Sequence, residues 1–94
     1  MNKLPIKFAV LNSFIDEDRL NLNEVYDKLK KHYENEKQFT KENILEHILS
    51  LRANDLLNEK YMDIDRDNNL VIYYEITKDG VSTVKKYIIK NTSK

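Results

Sequence analysis

Apolar residues recur every three or four positions through most of the first half of the chain, which is the spacing of one face of an α-helix. This pattern predicts a first helix over about residues 4–15 and a second helix that begins at an N-cap on Asn23. It also predicts a third helix over residues 40–57, with Thr40 as the N-cap and Phe39 before it as a hydrophobic staple.

The third helix is the most strongly patterned, with a broad apolar face and a polar face opposite it. Six apolar residues are expected to pack on the broad face: Ile44, Leu45, Ile48, Leu49, Leu51 and Leu56. At about 100° per residue, the opposite face carries Asn43, Glu46, His47, Ser50 and Asn54. The polar face is therefore the candidate for contacts outside the core.

From residue 61 to residue 76, apolar residues alternate with polar ones, which predicts two β-strands. Arg66-Asp67-Asn68-Asn69 between them favours a turn, so the segment is predicted to form a β-hairpin with one buried face. The buried face is expected to carry Met62, Ile64 and Leu70. The solvent face is expected to carry Tyr61 and Tyr73, with three carboxylates pointing to solvent at or near the tip: Asp63, Asp65 and Asp67.

The full order of predicted elements is helix, short extended segment, helix, helix, hairpin and helix. The extended segment lies at residues 19–22, and Thr77 is the predicted N-cap of the last helix. The 94 residues include 28 Leu, Ile, Val and Phe, enough for one modest core. We therefore expect a single α+β domain over residues 1–94, with an ordered core of about 4–90.

Composition excludes several kinds of chemistry. Lys and Arg number 16, as do Asp and Glu, so the chain is not a polycation that coats nucleic acid regardless of sequence. The absence of cysteine excludes disulfides and thiolate nucleophiles, and a single glycine excludes a glycine-rich phosphate loop. His32 and His47 lie on different predicted helices, without a second ligand at metal-binding spacing. We therefore expect no enzymatic activity, no cofactor and no metal site.

The segment Asp63-Ile64-Asp65-Arg66-Asp67 resembles the start of a calcium-binding loop. Asn68 stands where such a loop needs glycine, and Tyr74 stands where it needs glutamate. The flanking residues have the pattern of strands rather than helices. We therefore interpret these carboxylates as solvent-exposed residues of the hairpin.

Charge is distributed unevenly along the chain. Residues 28–41 carry five Lys against two Glu, and residues 78–94 carry five Lys against one Asp. Residues 42–67 carry seven acidic residues against three basic ones. Positive charge is therefore concentrated around the turn before the third helix and on the last helix, whereas the hairpin is acidic. If the partner carries phosphates, these two basic segments are expected to contact it and the acidic hairpin to repel it; if the partner is a protein, the acidic hairpin is available to bind it.

Two segments resemble parts of small winged-helix regulators. Tyr74-Glu75-Ile76-Thr77-Lys78-Asp79-Gly80 resembles the Tyr-x-Leu-Thr-x-x-Gly step from the second wing strand into the last helix of PadR-like and MarR-like regulators. Leu56-Leu57-Asn58-Glu59-Lys60-Tyr61-Met62 is similar to the leucine-rich end of a recognition helix, although these families often have glycine where Lys60 stands. The resemblance covers roughly residues 4–90. It implies a winged helix-turn-helix fold, with a three-helix core, a β-hairpin wing and a C-terminal helix.

In such families the recognition helix enters the major groove of DNA, and the wing contacts the backbone or the minor groove. The resemblance matches helix 40–57 to the recognition helix and residues 61–76 to the wing, and it implies double-stranded DNA as the partner. Polar side chains can reach base edges, and lysines can reach phosphates. The expected DNA contacts are Lys30, Lys31, Lys37, Gln38, Thr40, Lys41, Asn43, His47, Ser50, Asn54 and Arg66.

We expect a small cytoplasmic transcriptional regulator. An alternative with the same fold is an accessory DNA-binding protein of a plasmid or phage, one that marks an origin for conjugative transfer or replication. An alternative of another class is a winged helix that binds protein through its acidic wing. No small-molecule ligand is evident, and no apolar run approaches the roughly 18 residues that a membrane span needs.

The last predicted helix leaves two readings open. Its apolar residues are Val81, Val84, Tyr87, Ile88 and Ile89. They either close the core of the monomer or form a homodimer through the terminal helices.

Overall fold

Four helices and a three-stranded antiparallel sheet occur along residues 4–92, the part of the chain that the computed structural model describes. In chain order they are α1 (Ile6–Asn12), β1 (Leu20–Asn21), α2 (Leu22–Tyr33), α3 (Lys41–Ala53), β2 (Leu57–Ile64), β3 (Leu70–Ile76) and α4 (Lys78–Thr92). The predicted order of elements and the α+β class are confirmed. Among these described residues, no helix has the length and apolar character needed to cross a lipid bilayer.

The first helix, α1, is shorter than its apolar pattern predicts. It begins at Ile6, with Pro5 as the N-cap, and it ends at Asn12 rather than near residue 15. The chain then continues through tight turns, in which the Ile15 N–H donates to the Asn12 carbonyl at 3.0 Å. These turns keep Phe14 fully buried, so the apolar spacing extends beyond the end of the helix.

The N-cap of α2 is Asn21, and the prediction of a cap at Asn23 is wrong. The Asn21 side chain accepts a hydrogen bond from the Glu24 N–H at 2.8 Å, and the Glu24 carboxylate accepts one from the Asn21 N–H at 3.0 Å. This reciprocal pair is a capping box, which needs an acidic or amide residue three positions after the cap. Asn23 has Tyr26 at that position, so it cannot form the same box.

The third helix, α3, has the predicted N-cap but an earlier end. The Thr40 hydroxyl accepts a hydrogen bond from the Asn43 N–H at 3.0 Å. At the other end the chain turns through Asp55, whose φ is 63°, and the Leu56 N–H donates to the Leu51 carbonyl at 2.9 Å. This arrangement is a Schellman C-cap. The helix therefore ends before the predicted boundary, and β2 starts directly after this turn.

The sheet has the strand order β1-β3-β2, and both strand pairs are antiparallel. The hairpin of β2 and β3 begins at the Leu57–Ile76 pair, and its register shifts at Lys60, as in a β-bulge. At the tip, Asn68 has a φ of 65° and its N–H donates to the Asp65 carbonyl at 3.0 Å. The Asp65 carboxylate accepts hydrogen bonds from two further backbone N–H groups, both at 2.9 Å. The predicted hairpin is thus present, closed by a turn of polar residues.

The core lies where α1, α2 and α3 meet the root of the hairpin. Its largest fully buried side chains are Val10, Leu11, Phe14, Val25, Ile44, Ile48, Leu51 and Leu57. Tyr74 on the central strand β3 is buried with them. The last helix, α4, adds Val84 to this core and packs on α1, where Tyr87 stacks on Phe8 with the ring centroids 4.1 Å apart. Ile89, which the sequence also places among the apolar residues of this helix, lies outside the residues whose side chains the structure describes.

Two expectations about buried faces are wrong. Met62, Ile64 and Leu70 on the hairpin are 59%, 61% and 63% exposed. Leu45 and Leu49 of α3 are 36% and 45% exposed. Periodicity predicts which residues share a face, but burial also requires another element to reach that face. The core reaches only the root of the hairpin and one side of α3.

The loop before β1 holds one face of the hairpin. The Lys60 ammonium contacts the Asp18 carboxylate at 2.7 Å, and this hydrogen bond lowers the pKa of the Asp18 carboxyl. The Arg19 guanidinium lies 4.9 Å and 5.1 Å from the ring centroids of Tyr61 and Tyr73. The two rings stack at 4.9 Å, so they share one face as predicted. The hairpin is therefore anchored near its root on the side that carries the tyrosines.

A polar contact joins α1 to α3. The Lys7 ammonium donates a hydrogen bond to Ser50 Oγ at 2.9 Å. His47 lies one turn earlier on α3 and is half-buried. Burial lowers the pKa of His47 below its usual value, and the positive charge of Lys7 lowers that pKa further. His47 is therefore mostly neutral at pH 7.

The start of α4 is tied to the end of α3. The Thr77 hydroxyl accepts a hydrogen bond from the Gly80 N–H at 2.9 Å, as predicted for an N-cap, and it donates to the Asp55 carbonyl at 2.8 Å. The Thr77 N–H donates to the Leu56 carbonyl at 3.1 Å. A Cβ on Gly80 would lie 2.6 Å from Ile76 Cγ1 and closer still to the Leu56 carbonyl oxygen. Glycine is needed at this position because there is no room for a side chain.

Gly80→Ala is expected to destabilise the fold, although alanine is the better helix former by about 1 kcal/mol. The added methyl collides with backbone at the junction, so we expect the free energy of unfolding to fall by about 2–3 kcal/mol. Urea denaturation measures this change. Ser82→Ala, at an exposed position of the same helix, is the control and should shift it by less than about 0.5 kcal/mol. Equal stability of Gly80→Ala and wild type would contradict this close packing.

His47→Asn is expected to change how stability depends on pH. The lowered pKa of His47 means that the unfolded chain takes up a proton there more readily than the folded chain. Above about pH 6.5, His47 is neutral in both states and does not lower the free energy of unfolding. As the pH falls below that value, protonation of His47 in the unfolded chain lowers the free energy of unfolding. Between about pH 7.5 and pH 5, the free energy of unfolding should fall less in the variant than in the wild type. Denaturant titrations at the two pH values measure the difference, and identical profiles would contradict it.

Candidate nucleic-acid interface

Four lysines lie around the turn between α2 and α3, and we call them the lysine corner. Lys30 and Lys31 are in the last turn of α2, Lys37 is in the connecting segment, and Lys41 is the first residue of α3. All four residues are exposed, and so is Gln38 beside them. Ammonium groups at such a turn are placed to contact a phosphate backbone.

Aromatic packing holds the lysine corner in place. Phe39 is buried, and its ring stacks on Tyr26 at 4.6 Å and on Tyr33 at 6.1 Å between centroids. The Lys41 ammonium lies 5.3 Å from the centroid of the Tyr26 ring, a cation–π contact. Tyr26 and Tyr33 thus pack in and beside the core. The backbone that presents the lysines is therefore ordered before any partner arrives.

The predicted base-reading residues of α3 lie beside the core rather than in the middle of its solvent face. Asn43, His47 and Ser50 are half-buried. The Asn43 amide donates to the Gln38 carbonyl at 2.9 Å, and the Ser50 hydroxyl accepts its hydrogen bond from α1. The Asn54 amide donates to the Ser50 carbonyl at 2.9 Å. These bonds fix the orientation of Asn43, Ser50 and Asn54, while each amide keeps a second N–H and its oxygen and the Ser50 hydroxyl can still donate.

The middle of the solvent face of α3 carries two acidic residues and two leucines: Glu42, Leu45, Glu46 and Leu49. All four are exposed and follow one another at i, i+3, i+4 and i+7, so they form one stripe along the helix.

The width of the apolar face of α3 already indicated in the sequence that some of its apolar residues are exposed. The apolar positions of α3 cover an arc of about 160°, wider than the roughly 100° stripe that a surface helix usually turns toward the core.

A groove lies between α3 and the hairpin. Its volume is about 360 Å³. Its lining residues are Asn21, Leu22, Asn23, Leu45, Asp65, Asn69, Leu70, Val71, Ile72 and Tyr74. These residues come from β1 and the start of α2, from the middle of α3 and from the hairpin, which are far apart along the chain. Sequence reasoning did not predict the groove because it forms only when these segments meet.

The tip of the hairpin is acidic. Asp63, Asp65 and Asp67 are exposed there as predicted, together with Arg66. The Asp65 carboxylate accepts hydrogen bonds from backbone N–H groups of the tip, and the Asp63 carboxylate accepts one from the Ile64 N–H at 2.8 Å. Among the residues that the structure describes, no group of three His, Asp or Glu is placed to hold a metal ion. The Asp65 carboxylate thus stabilises the turn itself, and the Asp63 carboxylate bonds within β2.

No protein-family model matches the sequence, and no curated protein matches it. Solved structures of transcriptional regulators are nevertheless similar to it. A PadR-like transcriptional regulator from Bacillus cereus strain ATCC 14579 aligns with a TM-score of 0.70 at 18% identity, over 90% of this chain and 79% of that one. A protein described as a transcriptional regulator from Thermoplasma acidophilum aligns with a TM-score of 0.69 at 12% identity, over 87% of this chain and 75% of that one.

A third similar structure is longer. The PcaV transcriptional regulator from Streptomyces coelicolor, in complex with its natural ligand, aligns with a TM-score of 0.61 at 18% identity. The alignment covers 88% of this chain and 51% of the PcaV chain.

At these identities the comparisons show the fold. The three helices α1–α3 form the core, α2 and α3 form the helix-turn-helix, and β2 with β3 forms the wing. The resemblance that the sequence shows at residues 56–62 and 74–80 is thereby confirmed at the level of the fold. Residues 4–92 have the winged helix-turn-helix fold.

Proposed function

We propose that this chain binds double-stranded DNA through the lysine corner and acts as a small transcriptional regulator in the cytoplasm. One observation carries the proposal: four lysines are exposed around the start of α3 in a winged-helix fold. The similar solved structures are transcriptional regulators, which supports the same role. Lysines that neutralise phosphates release counterions, and this release is a major source of affinity for duplex DNA.

Different residues of the site would serve different purposes. Contacts from the lysines would set the position of the helix-turn-helix on the duplex. Gln38 and Thr40 lie in the same corner and extend its polar surface, and Arg66 offers a further cation at the tip of the wing. Asn43, His47, Ser50 and Asn54 are proposed as secondary contacts. Three of them are each held by a hydrogen bond within the chain, which leaves them fewer free groups and fewer orientations for a base.

The middle of α3 is a poor surface for phosphate. Glu42 and Glu46 are exposed there and repel anions, and Leu45 and Leu49 offer no hydrogen bonds. We therefore infer that the duplex contacts the N-terminal end of α3 and the preceding turn rather than the centre of the helix.

Changing Lys30, Lys31, Lys37 and Lys41 together to alanine is expected to remove most of the duplex binding. Contacts with about four phosphates give the wild type a log–log salt slope of about −3.6, and the variant should bind far more weakly with a shallower slope. Fluorescence anisotropy with a labelled duplex over a salt series measures both quantities.

A second variant changes Lys78, Lys85 and Lys86 of α4 to alanine, because the sequence also concentrates positive charge on the last helix. These residues are exposed and lie outside the lysine corner. Since we place the duplex on the lysine corner, this variant should keep its affinity to within about threefold and should keep most of the salt slope. Loss of binding in this variant alone would move the interface to α4. A wild-type chain that does not bind duplex DNA would refute the proposal.

Glu42→Gln is expected to tighten duplex binding several-fold. Glu42 follows Lys41 in the first turn of α3, and its repulsion of a nearby phosphate is worth at most about 1 kcal/mol at a screened surface. Asp79 follows Lys78 in the first turn of α4 in the same way, so Asp79→Asn is the matched control and should leave the affinity unchanged. Anisotropy titrations at low salt make the comparison. If the two substitutions had equal effects, the duplex would be responding to the net charge of the whole chain rather than to Glu42 at the interface.

A further inference from the structure

Exposed apolar side chains border the groove between α3 and the wing on both sides. Leu45 and Leu49 lie one turn apart on α3, and Leu45 lines the groove. Leu70 lines it from the wing, and Ile64 is paired directly with Leu70 across the two strands. Met62 follows on the same face of β2. A single apolar surface therefore extends from α3 toward the tip of the wing.

The two faces of the wing differ in how they are covered. The Arg19 guanidinium lies over Tyr61 and Tyr73 on one face. On the other face, within the described residues 4–92, Met62, Ile64 and Leu70 are more than half exposed. Monomeric proteins rarely leave contiguous apolar patches larger than a few hundred Å² exposed, and such patches often mark an interaction site.

Carboxylates outnumber cations around this apolar surface. Glu42 and Glu46 lie beside the two leucines on α3, and Asp65 lines the groove from the wing. Arg52, at the other end of α3, is already paired with Glu59, with Nε 3.0 Å from the carboxylate oxygen. The surface is therefore complementary to a basic partner rather than to a phosphate backbone.

Two further cations lie at the ends of the surface. Lys41 contacts the Tyr26 ring at the α2 end. Arg66 lies at the tip between Asp65 and Asp67, so the net charge of these three residues is negative. Neither cation changes the acidic balance along the length of the groove.

We propose that this groove binds an amphipathic helix of a partner protein, with the apolar side of that helix in the groove and its Lys or Arg residues toward the carboxylates. One wall comes from Leu45 of α3 and the start of α2, and the other wall is the hairpin. Apolar grooves of this kind accept a helix through side chains at i, i+4 and i+7. The apolar surface continues past the groove to Leu49 and Met62, so it is longer than one small ligand would cover. None of the four lysines of the lysine corner lines this groove, so separate substitutions test the docking proposal and the DNA proposal.

Two synthetic peptides and the full chain test the docking proposal. One peptide of about 14 residues, or four turns, places Leu and Lys in an amphipathic helical pattern, and the other has Glu in place of Lys. In fluorescence anisotropy, we expect the Leu/Lys peptide to bind at least about tenfold more tightly than the Leu/Glu peptide. Equal binding of the two peptides, or tighter binding of the Leu/Glu peptide, would overturn the proposal.

A groove variant tests the apolar contacts. The combined change Leu45→Gln, Leu49→Gln and Leu70→Thr is expected to weaken binding of the Leu/Lys peptide by at least about tenfold. These side chains are already exposed, so the melting temperature should change little. If this variant does not fold, Met62→Thr with Ile64→Thr alters only the exposed part of the wing and should weaken binding several-fold. Unchanged peptide binding in either folded variant would exclude the groove.

A charge variant tests the acidic residues of the surface. Glu46→Gln with Asp65→Asn removes two charges and keeps an oxygen acceptor at the tip, and it should weaken binding of the Leu/Lys peptide several-fold. The matched control, Asp16→Asn with Glu34→Gln, removes two exposed charges that do not line the groove. It should leave the affinity unchanged. Equal weakening by both variants would show that the peptide senses only net charge, and the proposal would fail.

Two other occupants of the groove give distinct results. In sedimentation, a wild-type dimer that dissociates in the groove variant would assign the groove to a second copy of the chain. Duplex binding that is lost in the groove variant would assign the groove to DNA. Either result overturns the docking proposal. The lysine-corner variant should bind the Leu/Lys peptide at least as tightly as the wild type does, because it loses only positive charges, so the two proposals can fail separately.

Discussion

The wing enters and leaves the helices at a short junction, in which the end of α3 and the start of α4 share hydrogen bonds. Thr77 donates to the carbonyls of Asp55 and Leu56, and Gly80 packs against the same turn. Because β2 leaves from this turn and β3 returns to it, the junction sets the position of the hairpin relative to α3. The groove between them and the exposure of the wing both follow from that position.

The zero net charge of the chain is the sum of surfaces with opposite character. The lysine corner presents ammonium groups on a backbone that Phe39 and its neighbouring tyrosines hold in place. The middle of α3 and the tip of the wing present carboxylates. Surface charges act over about 10 Å at 0.1 M salt, while the molecule extends 50 Å along its longest axis. Each surface therefore attracts partners according to its own charges. The zero net charge of the whole chain does not reveal these local differences.

Local signals in the sequence were sufficient for the order of the elements. Thr40 and Thr77 were predicted as N-caps from their residue type and position, and both caps are present. The cap at Asn21 was missed, although Glu24 three residues later marks it. Caps and turns are predictable because they depend on residues within about four positions of one another. The lysines around the turn before α3 were found for the same reason. Once the end of α2 and the start of α3 are predicted, the lysines between those two points are placed as well.

The sequence by itself determined the helices, the hairpin, the α+β class and the placement of lysines beside α3. Only the tertiary structure decided which apolar residues are buried. Leu45, Leu49, Met62, Ile64 and Leu70 follow the same periodic patterns as their buried neighbours, yet they are exposed because the small core does not extend to them. Periodicity is a property of one segment, whereas burial and grooves arise from contacts between segments that are distant along the chain.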